Sequence, residues 1–274
     1  MNAGLAALVW LLQKVPSRWR RPVGRIPGVR TLADSLYPHR PDVFALAKPL
    51  EGHRMRLHWG SRKGFVFGTW EPHVVEAIQR VLRPGQLAVD VGAHVGYFTL
   101  LLAKQVGPSG EVVAFEPNPN IFEILKENVA LNGYRNVILE NKAVADQAGQ
   151  VELRLSSRLP QEGIDSIISD PGPGPRIKVL AVRLDDYFGS GSNRVGFVKM
   201  DIEGAEALAL EGMSRILAVH RPSLVIELHG ADGCAEKHPA FSKLKEAGYE
   251  VSVLGVPDIT AHILAEPKHT GGQS

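Results

Sequence analysis

The chain has 274 residues, 44% of them hydrophobic, which is enough for one large core. Its single cysteine, Cys234, excludes an internal disulfide and any zinc site built on paired cysteines, and it fits a reducing, cytoplasmic setting. The formal net charge of +2 hides an asymmetry: residues 1–63 hold 12 Lys or Arg against 3 Asp or Glu, and the remainder is net acidic. A basic arm on an acidic body is a footprint for anionic partners, unless the arm is only solvated.

The first element is the apolar run Ala3–Leu12, followed by Lys14, Arg18, Arg20 and Arg21. It is too short for a bilayer, which needs about 20 residues. Its basic residues follow the apolar run, whereas a secretory signal carries them before it. Leu5, Leu8, Val9 and Leu12 share a helical face, so this helix either lies on an anionic membrane surface or docks on the domain. Residues 13–50 are rich in Arg and Pro and read as an irregular lead-in. Strand signals follow in M-R-L-H-W and G-F-V-F-G-T-W within residues 54–70. Glu71–Leu82 reads as a helix with Pro72 in its first turn.

Regular alternation begins at Leu87. Strand Leu87–Val91 precedes a helix over Val95–Gln105, and strand Glu111–Glu116 precedes a helix over Pro119–Leu131. Strand Val137–Glu140 comes next. Alternation with short links means a parallel sheet covered on both faces. Residues 146–194 break this rhythm with an edge strand at Val151–Leu155, a Pro-Gly loop from Pro171 to Pro175, and a strand over Ile177–Leu184. The alternation resumes with strand Val195–Asp201, a helix over Gly204–Ala218 and strand Ser223–Leu228. Helix Pro239–Ala247 and strands Tyr249–Leu254 and Thr260–Leu264 complete the sheet. This divides the chain into a basic arm over 1–50, a catalytic domain over 51–266 with its insertion at about 146–194, and a frayed tail over 267–274.

Three clusters carry chemistry. In L-A-V-D-V-G-A-H-V-G-Y-F-T, Gly92, Ala93, His94 and Gly96 form a tight turn between a strand and a helix, open to close approach by a ligand. Glu116 ends the next strand. A glycine turn followed by an acid at the end of strand two is how α/β sheets hold an adenosine ribose, since an ionised carboxylate accepts from both hydroxyls. The alternative for Glu116 is to cap the next helix, a role that Asn118 can fill instead. Ala88 stands where the dinucleotide pattern needs a glycine, so NAD is disfavoured and S-adenosyl-L-methionine fits. Asp90 either faces the amino-acid end of the cofactor or holds the turn. His94 touches the cofactor, lines the substrate mouth or packs the turn.

The second cluster is K-M-D-I-E-G-A-E, in which Asp201 ends a strand and Glu203 opens a helix. Acids in a first helical turn favour the helix dipole by roughly 0.3–1 kcal/mol each. Their crowding at a strand end also suits work on a substrate hydroxyl or a sulfonium. The third is V-I-E-L-H-G, where Glu227 and His229 face the same side of a strand. An ordinary histidine pKa near 6.5 suits a general base, and a structural hydrogen bond is the other reading. Asp201, Glu203 and His229 are therefore the candidates to take an acceptor proton, the Asp201/Glu203 end first. Glu71, in Trp70-Glu71-Pro72-His73, is a further candidate for the cofactor's amino group.

From Gly68 to Leu254 the chain resembles the FkbM family of S-adenosylmethionine-dependent methyltransferases. The carrying residues are W-E-P, D-V-G-A-H-V-G-Y-F-T, F-E-P-N-P, N-K-A-V-A-D, V-R-L-D-D-Y, V-K-M-D-I-E-G-A-E and I-E-L-H. His94 stands where the family commonly has Asn. The resemblance implies an α/β, class I methyltransferase (Rossmann-like) fold with a seven-stranded, mostly parallel sheet, one antiparallel strand and helices on both faces. It implies O-methylation of a hydroxyl on a sugar, glycan or secondary metabolite. It further implies cofactor contacts at Gly92, Gly96 and Glu116, adenine beside Asn141 and Ala143, and Asp201 and Glu203 at the active-site rim. No metal is expected, since Asp185-Asp186 alone do not make a site. A nucleic-acid methyltransferase is disfavoured, because Met200-Asp201-Ile202-Glu203 lacks a base-stacking aromatic. A non-catalytic binding module that keeps the cofactor fold is the remaining alternative.

Overall fold

A computed structural model describes Leu11, Lys14 and residues 42–57, 63–155, 174–189, 194–231, 234–256 and 260–268. The apolar N-terminal helix and most of the Pro-Gly loop lie outside the described residues. The chain forms two compact units, one of residues 1–72 and 126–133, the other of residues 73–125 and 134–274.

In the first unit, β1 (Asp42–Ala45) pairs antiparallel with β2 (Arg54–Leu57), so the lead-in contains a strand that its proline content concealed. The far edge of β2 is closed by amide side chains. The Asn128 and Asn132 Oδ1 atoms accept from the Arg56 and Arg54 N–H groups at 2.6 and 2.9 Å, and Asn132 Nδ2 donates to Arg54 O at 2.8 Å. Asn128, near the end of a helix, and Asn132, in the turn that follows it, together stand in for a neighbouring strand. The apolar run after residue 62 forms helix α1 (Lys63–Phe67) and not a strand. Phe65 and Val66 are buried, and Val66 O accepts from the Ala47 N–H at 2.9 Å. A short apolar run fits buried helix and buried strand alike, and packing decides between them.

The second unit holds α2 (Pro72–Val81, from His73 on), β3 (Leu87–Val91), α3 (Tyr97–Val106), β4 (Glu111–Phe115) and the first part of α4 (Pro119–Ala130). Then come β5 (Val137–Glu140), β6 (Ala143–Val144), β7 (Gly149–Arg154), β8 (Arg176–Val182), α5 (Leu184–Phe188), β9 (Val195–Met200) and α6 (Glu206–Glu211). β10 (Ser223–Leu228), α7 (Pro239–Glu246), β11 (Tyr249–Gly255) and β12 (Ala261–Pro267) complete it. The main sheet has seven strands in the order β5-β4-β3-β9-β10-β12-β11. It is parallel except for β12, which runs antiparallel to both neighbours. This is the expected α/β architecture.

All five residues of β3 are buried, as suits a central parallel strand. The order reverses between β3 and β9, and such a switch opens a crevice at the carboxyl ends of the strands. Residues 143–182 add a three-stranded sheet, β6-β8-β7, around Ala143, Ala145, Leu153, Val179 and Ala181. β12 continues through Pro267, and the Lys268 N–H bonds Gly248 O at 3.0 Å.

The helix read over Gly204–Ala218 is broken in two. α6 ends at Glu211, and a π-helical turn spans Ile216–His220. At Gly212 a Cβ would stand 2.0 Å from Ala145 O, so the chain is pressed against the neighbouring loop there. The buried Asp185 carboxylate restarts the helix, accepting from the Arg215 and Ile216 N–H groups at 2.9 and 3.0 Å and from Ser214 Oγ at 3.3 Å. Asp185 is thus a helix cap. Asp185→Ala is expected to lower stability by about 2 kcal/mol, the upper end for a lost cap, because it also leaves buried donors unpaired. A urea titration followed by circular dichroism checks this, and a change below about 0.5 kcal/mol would contradict it.

Candidate active site

The turn after β3 packs backbone against backbone. Gly92 has φ +81°, His94 +51° and Gly96 +95°. The Gly92 and Ala93 N–H groups both donate to Phe115 O, at 3.0 and 2.9 Å. A Cβ on Gly92 would lie 1.9 Å from Asp201 O, and one on Gly96 would lie 2.7 Å from Leu125 Cδ1. The space that these glycines leave is therefore filled by the protein itself. The turn thus abuts the residue that follows β9.

Glu116 follows β4 and is nearly buried. Its Oε2 accepts from the His94 N–H at 2.9 Å and its Oε1 from the Asn118 N–H at 2.8 Å. Asn118 takes the capping role, its Oδ1 accepting from the Asn120 and Ile121 N–H groups at 2.9 and 3.4 Å. Glu116 is thus free of that duty. A carboxylate offers about four acceptor positions and suits the vicinal hydroxyls of a ribose. Asn141 braces this loop, its Nδ2 donating to Glu116 O at 2.8 Å and Pro117 O at 3.0 Å. Ala143 begins β6 and packs into the small sheet. Glu71 lies in the first unit with φ +38°.

Asp90 is fully buried on β3. Its Oδ2 accepts from Thr99 Oγ1 at 2.6 Å, while its Oδ1 has no hydrogen-bond partner among the described residues. Burial pushes its pKa up, with Lys199 and the Thr99 bond pulling the other way. An orphaned, buried carboxyl oxygen beside the turn suits the polar amino-acid end of an adenosine cofactor. Together with Glu116, and with no pyrophosphate-binding glycine pattern, these residues fit S-adenosyl-L-methionine.

The second and third clusters merge into one. His229 sits among four carboxylates. Its Nδ1 is 2.9 Å from Glu206 Oε1, and its Nε2 is 3.1 Å from Glu203 Oε2, 3.6 Å from Glu227 Oε1 and 3.9 Å from Asp201 Oδ1. Burial opposes a charge on His229, yet the Glu206 bond and the surrounding carboxylates push its pKa up to about 9. Raised that far, the imidazole favours its charged form, which donates to carboxylates and does not take a proton. Burial pushes Glu203 up to about 7, with Asp201, Glu227 and Glu206 adding to the shift against the pull of His229. Glu227 is held down at about 2 despite its burial, chiefly by His262, whose Nε2 lies 3.1 Å from Glu227 Oε2. His262 is its direct partner across the β10–β12 ladder.

Lys199, Glu206 and His262 are site residues that the sequence reading did not single out. Lys199 is buried in β9, with Nζ 3.4 Å from Asp201 Oδ2 and 4.9 Å from the centre of the Phe98 ring. A lone lysine in the apolar strand V-G-F-V-K-M was its signal. Glu206 was the third acid of the same motif; it is fully buried and accepts from the Gly204 N–H at 2.9 Å. His262 carried no local signal, because only the antiparallel pairing of β12 places it. No helix of the described residues is long and apolar enough to cross a membrane.

The chain is similar to several known methyltransferases. The family profile of the methyltransferase FkbM domain matches residues 90–251. The 31-O-demethyl-FK506 methyltransferase FkbM of Streptomyces tacrolimicus is 28% identical over 180 residues, covering 56% of this chain and 68% of that protein. Methyltransferase 1 of Beauveria bassiana is 25% identical over 198 residues, covering 64% of this chain and 78% of that one. Among solved structures, the methyltransferase FkbM of Methylobacillus flagellatus is 17% identical with a TM-score of 0.44, covering 72% of this chain and 51% of that chain.

Proposed function

Because the chain belongs to the methyltransferase FkbM family, we propose that it methylates a hydroxyl of a sugar, glycan or secondary metabolite. Its methyl donor is S-adenosyl-L-methionine. The observation that carries the reading is the backbone contact between the turn at Gly92 and Asp201, which sets an acid-rich strand end directly beside the cofactor turn. S-adenosyl-L-methionine supplies a methyl group already activated for in-line attack, so positioning and removal of the acceptor proton are what remain.

In this reading Glu116 holds the ribose, and the segment Gly92–Gly96 with His94 forms the wall behind it. Asp90 takes the amino-acid end, and Asn141 and Ala143 border the adenine. Glu203 takes the acceptor proton, with Asp201 next to it. His229 orients both carboxylates. The single Cys234 supports a cytoplasmic setting. The basic N-terminal arm supports an anionic membrane surface as a peripheral partner, and nothing in the acid-rich strand end favours nucleic acid.

The test is a thermal melt with S-adenosylhomocysteine, using NAD as a control, on the wild type and Glu116→Gln. A ligand at a hundredfold excess over its Kd stabilises the fold by about 2.7 kcal/mol. The wild type is expected to show that rise and Glu116→Gln to lose it, because the amide replaces one acceptor oxygen with a donor. Comparing shifts within each variant removes any effect on the ligand-free fold. No rise in the wild type would overturn the reading. Labelled S-adenosyl-L-methionine with a panel of sugars, glycans and polyketide alcohols, and with amines and RNA as counter-classes, then identifies the acceptor.

A further inference from the structure

Three side chains at the ends of β9 and β10 converge through their inner atoms. Asp201, Glu227 and His229 each offer a ligand atom within 4.8 Å of the other two. His229 Nε2 is 3.9 Å from Asp201 Oδ1 and 3.6 Å from Glu227 Oε1. Ligands about 2.1 Å from a common ion stand roughly 3.0–4.2 Å apart, so these separations are of the right size.

The outer atom of each side chain is held by a different buried partner. Asp201 Oδ2 faces Lys199 Nζ at 3.4 Å, Glu227 Oε2 faces His262 Nε2 at 3.1 Å, and His229 Nδ1 bonds Glu206 Oε1 at 2.9 Å. Lys199, His262 and Glu206 are all buried. Surface acids do not come with such a shell. A histidine whose outer nitrogen bonds a buried carboxylate, and whose inner nitrogen faces further carboxylates, is the usual arrangement around a metal. The charge balance points the same way. Four carboxylates surround one imidazole, and Lys199 faces the outer oxygen of Asp201, so carboxylate oxygens crowd where the inner atoms meet.

We propose that Asp201, Glu227 and His229 form a divalent-cation site of mixed nitrogen and oxygen ligation, with Glu203 at its rim; the ion displaces the Nε2 proton, so His229 is an imidazolium only while the site is empty. One imidazole with two carboxylates suits a Mn²⁺- or Zn²⁺-type ion better than Ca²⁺, which prefers oxygen alone. The inference rests on the methyl-transfer reading of the same strand ends and deepens it. A cation there serves as a Lewis acid that holds and acidifies an acceptor oxygen, which favours acceptors able to ligate through a hydroxyl.

The probe is Mn²⁺ alone, titrated into the full chain and followed by loss of the free-ion paramagnetic resonance signal. One ion per chain is expected. Glu227→Gln and His229→Gln should weaken binding at least tenfold, and Glu206→Gln by roughly 10–100-fold through loss of the outer-shell bond. Asp186→Asn, an exposed acid on α5, should leave it unchanged. Electron spin-echo modulation from one imidazole nitrogen in the unmodified protein reports the His229 ligand even where a variant does not fold. No binding, binding indifferent to these substitutions, or no nitrogen modulation would each overturn the site. S-adenosylhomocysteine melts run in parallel separate the two ideas: a shift without Mn²⁺ binding removes the metal and leaves the methyltransferase reading standing.

Discussion

Gly92→Ala is expected to leave little folded protein. Two costs add at this position. A left-handed φ of +81° disfavours an L side chain by about 1–2 kcal/mol. The new Cβ would also stand 1.9 Å from the Asp201 carbonyl oxygen, a backbone atom that cannot rotate away. Relief requires β3 and β9 to separate, yet the Asp201 N–H bonds Val91 O at 3.0 Å and the Gly92 N–H bonds Phe115 O at 3.0 Å. Overpacking of this kind costs about 1–3 kcal/mol or more, so the total is a large part of the 5–15 kcal/mol that typically separates folded from unfolded states. Gly133→Ala is the control. It shares a positive φ, +69°, but a Cβ there meets nothing within 4 Å. It should cost only about 1–2 kcal/mol. Urea denaturation of both variants checks the contrast, and equal losses would mean that the contact with Asp201 is not what requires glycine at position 92.

The same contact shows where reading the chain alone reaches its limit. The strand, turn and acid from Leu87 to Glu116 were legible because each signal is local: apolar run, glycines, an acid at a strand end. The parallel sheet followed from alternation, and its seven strands from the family resemblance. The reason for Gly92 was not legible, since the atom it avoids belongs to a strand over a hundred residues away. His229 is a similar case. Its position was clear from the parity it shares with Glu227, but its charge depends on Glu203 and Glu206, which reach it only after β9 and β10 pair in parallel. His262 enters through one antiparallel pairing with Glu227 and left no trace in the local pattern. The break at Gly212 went unread because a helical pattern continues through it. The break falls where Gly212 passes close to the Ala145 carbonyl, and Asp185 restarts the helix.

Glu203→Gln is expected to cut turnover by roughly 10²–10⁴-fold, the range that a general base contributes, while leaving the S-adenosylhomocysteine shift intact. The amide keeps the size of the side chain and can still bond His229, but it cannot accept the acceptor's proton. The backbone supplies an independent argument. Glu203 has φ +56°, a conformation that costs a non-glycine residue about 1–2 kcal/mol, and it is crowded by three other carboxylates. A residue kept for stability would not be placed there. Glu203→Gly should therefore raise the melting temperature, by relieving both the backbone strain and the charge repulsion, and should abolish turnover as fully as Glu203→Gln. A stabilised but inactive variant is the signature of a strained functional residue. If Glu203→Gly instead melts lower, the left-handed turn is a structural need. If Glu203→Gln turns over at wild-type rate, the proton goes to Asp201, whose carboxylate lies 3.9 Å from the same imidazole.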